Sequence, residues 1–96
     1  MKLTITKSPR KDKKFVAKFY EGSKLKKTTH FGAKGMSDYT IHNDKERRKR
    51  YRDRHKKDLK TKDPTRAGYL SYYILWGDSS NIKTAIKNYK KKFKYS

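Results

Sequence analysis

Apolar and polar residues alternate in three short runs near the start of the chain, and apolar residues recur at helical spacing after residue 50. Leu3-Thr4-Ile5-Thr6 alternates and predicts a short strand, followed by a charged connector from Lys7 to Lys14 that contains Pro9. Phe15 to Tyr20 predicts a second strand with Phe15, Ala17 and Phe19 on one face, and Glu21-Gly22-Ser23-Lys24 supplies a turn. The chain returns from Leu25 to Phe31 as a third strand, closing a hairpin. On that strand Leu25 and Phe31 share a face with Lys27 and Thr29, so one end of the face is expected in water. Residues 32–43, GAKGMSDYTIHN, hold two close glycines and no clear period, and they predict a structured loop.

From Asn43 to Lys62 the pattern changes to NDKERRKRYRDRHKKDLKTK, with eleven Lys or Arg against four Asp or Glu. Glu46 and Arg50, Asp53 and Lys57, and Asp58 and Lys62 are each four apart with the acid first, the better order for ion pairs on a helix. Asn43 with Glu46 three residues on resembles a capping box, and Asp44 and Glu46 add negative charge at the positive end of the helix dipole. The spacing therefore predicts one long basic helix over 44–62. Tyr51, His55 and Leu59 recur every fourth residue, so only one narrow stripe of it is expected to dock.

Asp63-Pro64 reads as the start of a further helix, with Asp as cap and Pro in the first turn. Ala67, Leu70, Tyr73, Ile74 and Trp76 make this segment apolar nearly all round, and Gly77 is expected to end it in a left-handed cap. Asp78 to Asn81 caps a last helix with Ile82, Ala85, Ile86, Tyr89 and Phe93 on one face and Lys83, Lys87, Lys90, Lys91 and Lys94 on the other. The expected fold is α+β: a small three-stranded antiparallel sheet, then a long basic helix and two further helices. One domain spans 1–96, divided into sheet (1–31), loop (32–43), basic helix (44–62) and an aromatic-rich helical pair (63–96).

Composition bears on this picture in two ways. Leu, Ile, Val and Phe together number fifteen, and the formal charge is +20, a balance typical of disordered chains. Eight Tyr and one Trp lie in the patterned segments, however, and such rings bury large areas. The charge is not confined to a tail: residues 1–48 carry fourteen Lys or Arg and five acids, residues 49–96 fifteen and four. Such a surface predicts a polyanionic partner, whether nucleic acid, an anionic membrane face or an acidic protein surface. Without Cys there are no disulfides and no thiolate metal sites. MKLTITKSPRK lacks an apolar run long enough for a signal peptide, and no segment reaches the length of a membrane span, so the expectation is a protein neither secreted nor membrane-spanning.

Thr28 to His55, TTHFGAKGMSDYTIHNDKERRKRYRDRH, together with DPTRAGYLSYYILW at Asp63 to Trp76, resembles a family of small basic proteins of nucleocytoplasmic large DNA viruses, the chlorella-virus and mimivirus type. The likeness spans about residues 26–93, and F-G-x-K-G-x-x-D-Y-T, Phe31 to Thr40, is its most specific part. The chain departs from that family at Leu59 and Thr61, where a Trp is usual shortly before Asp-Pro, and at Leu70, where a second aromatic follows Ala-Gly. The resemblance implies a virion-associated protein made in the host cytoplasm or viral factory, with no established enzymatic activity.

Arg47, Arg50, Arg54 and Lys57 are three or four apart and are expected to share a helix face, with Arg48 beside them, where they would neutralise phosphates. Nothing in the sequence selects side chains for base edges, so non-specific binding of double-stranded DNA is the expected mode. Gly32-Ala33-Lys34-Gly35 has the GxxG spacing of loops that clamp a nucleic-acid backbone, which makes Lys34 a further candidate. A strand rather than a helix precedes it, which favours a plain tight turn. His30, His42 and His55 invite comparison with His-metal nucleases, but Tyr51 and Leu59 stand where a second helical ligand would be. The expectation is therefore no enzyme, no metal and no cofactor, with Asp38, Thr40 and His42 bonding within the loop to fix where the basic helix begins. The alternative function is a minor capsid protein whose charge docks on acidic surfaces of the major capsid protein or other neighbours in the virion.

Overall fold

The register of three strands decides which side chains reach the core. In the computed structural model, which describes residues 1–96, β1 (Lys2–Lys7), β2 (Lys13–Glu21) and β3 (Lys24–Ala33) form one antiparallel sheet in the order β1-β2-β3. Leu3 pairs with Phe19, Ile5 with Ala17, and Phe15 with Phe31, so the alternation of all three strands aims one apolar set at the same side. Gly22 turns the second hairpin at φ +62°, the positive value that the first central position of such a two-residue loop needs. The pairing of β2 with β3 slips between Phe19 and Tyr20, so that Leu25 lies opposite Tyr20 and is about half exposed (49%). The open end of the β3 face thus begins at this bulge, which a strict period of two does not anticipate.

Four helices follow: α1 (Tyr39–His42), α2 (Lys45–His55), α3 (Ala67–Leu70) and α4 (Ile82–Lys92). The fold is α+β, as the pattern predicts. The long basic helix continues past His55 as a 3-10 segment, Lys56–Thr61, and ends where Lys62 turns left-handed at φ 53°. α3 continues as a wide π-helical turn, Ser71–Leu75, closed by a bond from Trp76 N–H to Ser71 C=O. Phe19, Phe31, Leu70, Ile74, Leu75 and Tyr89 are buried where α3 and the π-helical turn cover the sheet and α4 packs on that turn.

Several boundaries differ from expectation. The loop 32–43 contains the end of β3 and the single turn of α1. Asp63 does not cap a helix; its carboxylate accepts bonds from Thr65 N–H at 3.0 Å and the Thr65 hydroxyl at 2.5 Å, making a turn, and α3 starts four residues later. Gly77 is not left-handed. A Cβ there would lie 2.1 Å from the Tyr73 carbonyl oxygen, so glycine is needed for close approach rather than for positive φ. At the far end Lys94 takes φ 59°, and Tyr95 N–H reaches back to Lys90 C=O at 2.8 Å. This Schellman closure lays Tyr95 against Tyr89 and the edge of Phe19, and brings Ser96 into hydrogen bonds with Met1 and Leu3 beside β1.

The Cα radius of gyration, 12.8 Å, is that of a folded chain and far below the ~30 Å of an unfolded one of similar length. Packed aromatic rings therefore offset the sparse aliphatic content. The close approach at residue 77 gives a direct check: Gly77→Ala is expected to cost about 2 kcal/mol by overpacking against backbone, a fall of roughly 10 °C in a thermal melt. An unchanged melting temperature would show that the contact with Tyr73 yields freely.

Candidate functional site

The basic helix is placed by the turn before it. Asp38, only 2% exposed, accepts from Thr40 N–H at 2.9 Å and from the Thr40 hydroxyl, which starts α1. Lys14 reaches the same carboxylate at 2.5 Å and ties the turn to β2. Asn43 ends α1 in the left-handed conformation (φ 57°), so the cap of α2 falls one residue later than the capping-box spacing suggests. Asp44 accepts from Glu46 N–H and Arg47 N–H at 3.0 and 3.2 Å. The Arg47 amide, more than any other group, holds the Asp44 carboxyl below its usual value of 3.8. His42 assists: its Nδ1 accepts from Asp44 N–H at 2.9 Å, while its Nε2 is buried without a hydrogen-bond partner beside the Trp76 ring. Asp38, Thr40 and His42 do fix the start of the helix.

No residue of α2 is buried, yet one side of it is firmly held. The Tyr51 ring stacks on Trp76 at 4.3 Å with an interplanar angle of 8°, and on its other side His55 stacks at 4.1 Å. Arg48 lies over the Tyr39 ring at 4.9 Å and donates to Gly77 C=O at 3.2 Å. One turn on, Arg52 lies over Tyr72 at 4.8 Å and donates to Asp78 at 3.2 Å. The docking stripe predicted from Tyr51, His55 and Leu59 is present, widened by two arginines whose planar heads stack on aromatic faces.

The expected ion pairs of Glu46 with Arg50, Asp53 with Lys57 and Asp58 with Lys62 do not form. His55 takes Asp58 instead, at 3.1 Å, and the 3-10 geometry from Lys56 onward disrupts the four-residue spacing that the last two pairs need. Arg50 is left without an acidic partner.

Arg47, Arg50 and Arg54 come together along one wall of a groove of about 660 Å³ between α2 and the end of β3, with Lys13 also in its lining. Tyr51, Leu75 and Trp76 line its apolar part. None of these four cations pairs with a carboxylate, and the acids of the groove are already engaged, Asp38 by Lys14 and Asp58 by His55. The other candidates lie elsewhere. Arg48 is spent on the Tyr39 and Gly77 contacts, and Lys57, exposed on the 3-10 segment, is rotated off the stripe by its three-residue turn. Lys34 is exposed in the tight turn Ala33–Met36, whose two ends line the groove although Lys34 itself does not. In that GxxG run Gly32 and Gly35 take φ 79° and 90°, which explains both glycines by backbone conformation, and a Cβ at Gly32 would also sit 2.9 Å from Leu75 Cδ1.

Lys13 went unrecognised in the sequence, where it is one of five cations in a connector. Arg52 also gave little signal, although its four-residue spacing from Arg48 beside Tyr51 marks the same side of the helix. The histidines do not converge: His30 bonds Ser8 at 2.7 Å, His42 serves the start of α2, and His55 faces Asp58. No three His, Cys, Asp or Glu side chains are grouped so as to hold a metal ion.

A family model described as a family of unknown function (DUF5754) matches residues 3–55, from the first strand to the end of α2. No curated protein and no solved structure matches the chain.

Two outcomes follow from the turn that places α2. Asp38→Ala, which strands Lys14 and uncaps α1, is expected to cost about 3 kcal/mol in chemical denaturation; a loss within error would mean the pair contributes nothing. Because the folded pKa of Asp44 is lowered, its contribution is complete above 3.8 and is lost as pH falls through the folded value. Asp44→Asn keeps an amide oxygen for the cap without a titrating group, so its helical circular dichroism should decline less steeply in acid than that of the wild type. Identical acid limbs would remove Asp44 from the account.

Proposed function

The chain belongs to this family of unknown function, and from the geometry of its basic helix we propose that it is a non-enzymatic protein that binds double-stranded DNA through the phosphate backbone, without reading bases. The observation that carries this reading is the unpaired stripe of Arg47, Arg50 and Arg54. Along a helix rising 1.5 Å per residue their Cα atoms are spaced roughly 4.5 and 6 Å apart along the axis, within side-chain reach of successive phosphates. Each can release condensed counterions, and none must first give up an internal carboxylate. The exposure of the whole outer surface of α2 supports an approach by something as wide as a duplex.

The likeness of Phe31 to Thr40 to a viral family supports the further reading that the DNA is viral and the protein virion-associated. One observation favours the capsid alternative: the lysines of α4 form a second patch, and separated patches suit docking on several acidic neighbours. No helix is long and apolar enough to cross a membrane.

The test is affinity for unrelated duplexes over a salt series, with an acidic polypeptide as control. Equal affinity for all duplexes, a steep logarithmic fall with salt and weak binding to the control are expected. Arg47→Ala, Arg50→Ala and Arg54→Ala combined should reduce the slope by about 2.7, at roughly 0.9 for each phosphate contact. Stronger binding to the acidic polypeptide than to DNA would transfer the role to capsid docking, and an unchanged slope in the variant would remove α2 from the interface.

A further inference from the structure

The last 18 residues, Ser79 to Ser96, contain six Lys and no Asp or Glu. Ala85 and Tyr89 turn inward from α4, and Lys83, Lys87 and Lys91, spaced four apart, are exposed. No ion pair in the molecule uses any of them. Lys92, by contrast, is committed to the Tyr73 ring at 5.3 Å. The helix is fixed in place at both ends, by the Asn81 side chain that accepts from Thr84 N–H and by the closure at Tyr95. The backbone that carries the stripe is therefore held at both ends, with about 6 Å of axial rise between successive lysine Cα atoms.

Its position relative to α2 matters most. The segment Ala67–Trp76 lies between the two basic helices and offers each of them different rings. Tyr72 and Trp76 receive Arg52 and Tyr51 of α2, whereas Tyr69 and Tyr73 pack on Phe93, just past the end of α4, at 5.8 and 5.5 Å. The arginine stripe and the lysine stripe consequently sit on separate helices kept apart by an aromatic layer. Both lack internal counter-charges.

We propose that one chain holds two duplex DNA segments at once, the first on Arg47, Arg50 and Arg54 and the second on Lys83, Lys87 and Lys91, and so bridges duplexes. The bridge rests on the DNA-binding reading above and adds a second site to it. A phosphate backbone complements this charge: lysines on an exposed helix meet it as point charges and need no base contact. With short dimensions of 27 and 23 Å, the protein would hold the two segments near one another, as condensation of DNA requires.

A capture assay tests this. One duplex is immobilised, protein is added, and recruitment of a second, labelled duplex of unrelated sequence is measured, with a labelled acidic polypeptide in a parallel arm. Wild type should recruit the second duplex in preference to the polypeptide. Lys83→Gln, Lys87→Gln and Lys91→Gln combined should bind the immobilised duplex within about threefold of wild type yet recruit at least tenfold less of the second. A charge-matched variant with Lys2, Lys11 and Lys24 changed to Gln should still bridge. The proposal is overturned if the α4 variant bridges as well as wild type, if both variants lose bridging equally, or if the polypeptide is recruited in place of DNA. Failure of wild type to bind the first duplex overturns the DNA-binding reading, and the bridge with it; retained binding without recruitment overturns the bridge alone.

Discussion

Everything about this molecule's surface depends on how a helix with no buried residue is held to a small core. The solution is the stack of Tyr51 on Trp76, with His55 on the outer side and Arg48 and Arg52 lying over Tyr39 and Tyr72. An aromatic pair contributes about 0.5–1.5 kcal/mol beyond its burial and each cation–π contact about 0.5–1 kcal/mol. These are modest amounts, so the helix is anchored by several small terms acting together. The capped turn at Asp38 and Asp44 adds the geometric constraint that aims it.

This mode of attachment sorts the arginines. Those on the docked side have their planar heads committed to rings, carbonyls and Asp78; those on the groove side have no internal partner. The sequence is so short of acids, nine against twenty-nine Lys and Arg, that full internal pairing is impossible. Which cations stay unpaired is decided by helix phase, and on α2 the phase collects three of them along one groove. The same logic applies on α4, where an acid-free stretch leaves Lys83, Lys87 and Lys91 exposed without a counter-charge.

Much of the fold was legible because periodicity is a direct consequence of burial. The three strands, the docking stripe and the apolar face of α4 follow from spacing alone. Boundaries were less legible. The capping box on Asn43 failed because α1 claims that residue for its own end, and Asp63-Pro64 reads as a helix start only until Thr65 competes for the carboxylate. The bulge at Phe19 and Tyr20 leaves no trace in the apolar pattern of β2. At the candidate site, three of the six named cations converge and three do not, since a helical wheel cannot foresee the switch to 3-10 geometry at Lys56 or the stacking of Arg48. Lys13 joins the groove through tertiary structure only.

The central claim is that docking divides the arginines of α2 into a structural set and a binding set. The most direct measurement follows the guanidinium Nε–Hε resonances of each arginine by NMR while a duplex of arbitrary sequence is titrated in. The account predicts progressive shifts for Arg47, Arg50 and Arg54, with Arg48 and Arg52 essentially unmoved. Equal shifts for all five, or shifts confined to Arg48 and Arg52, would contradict it.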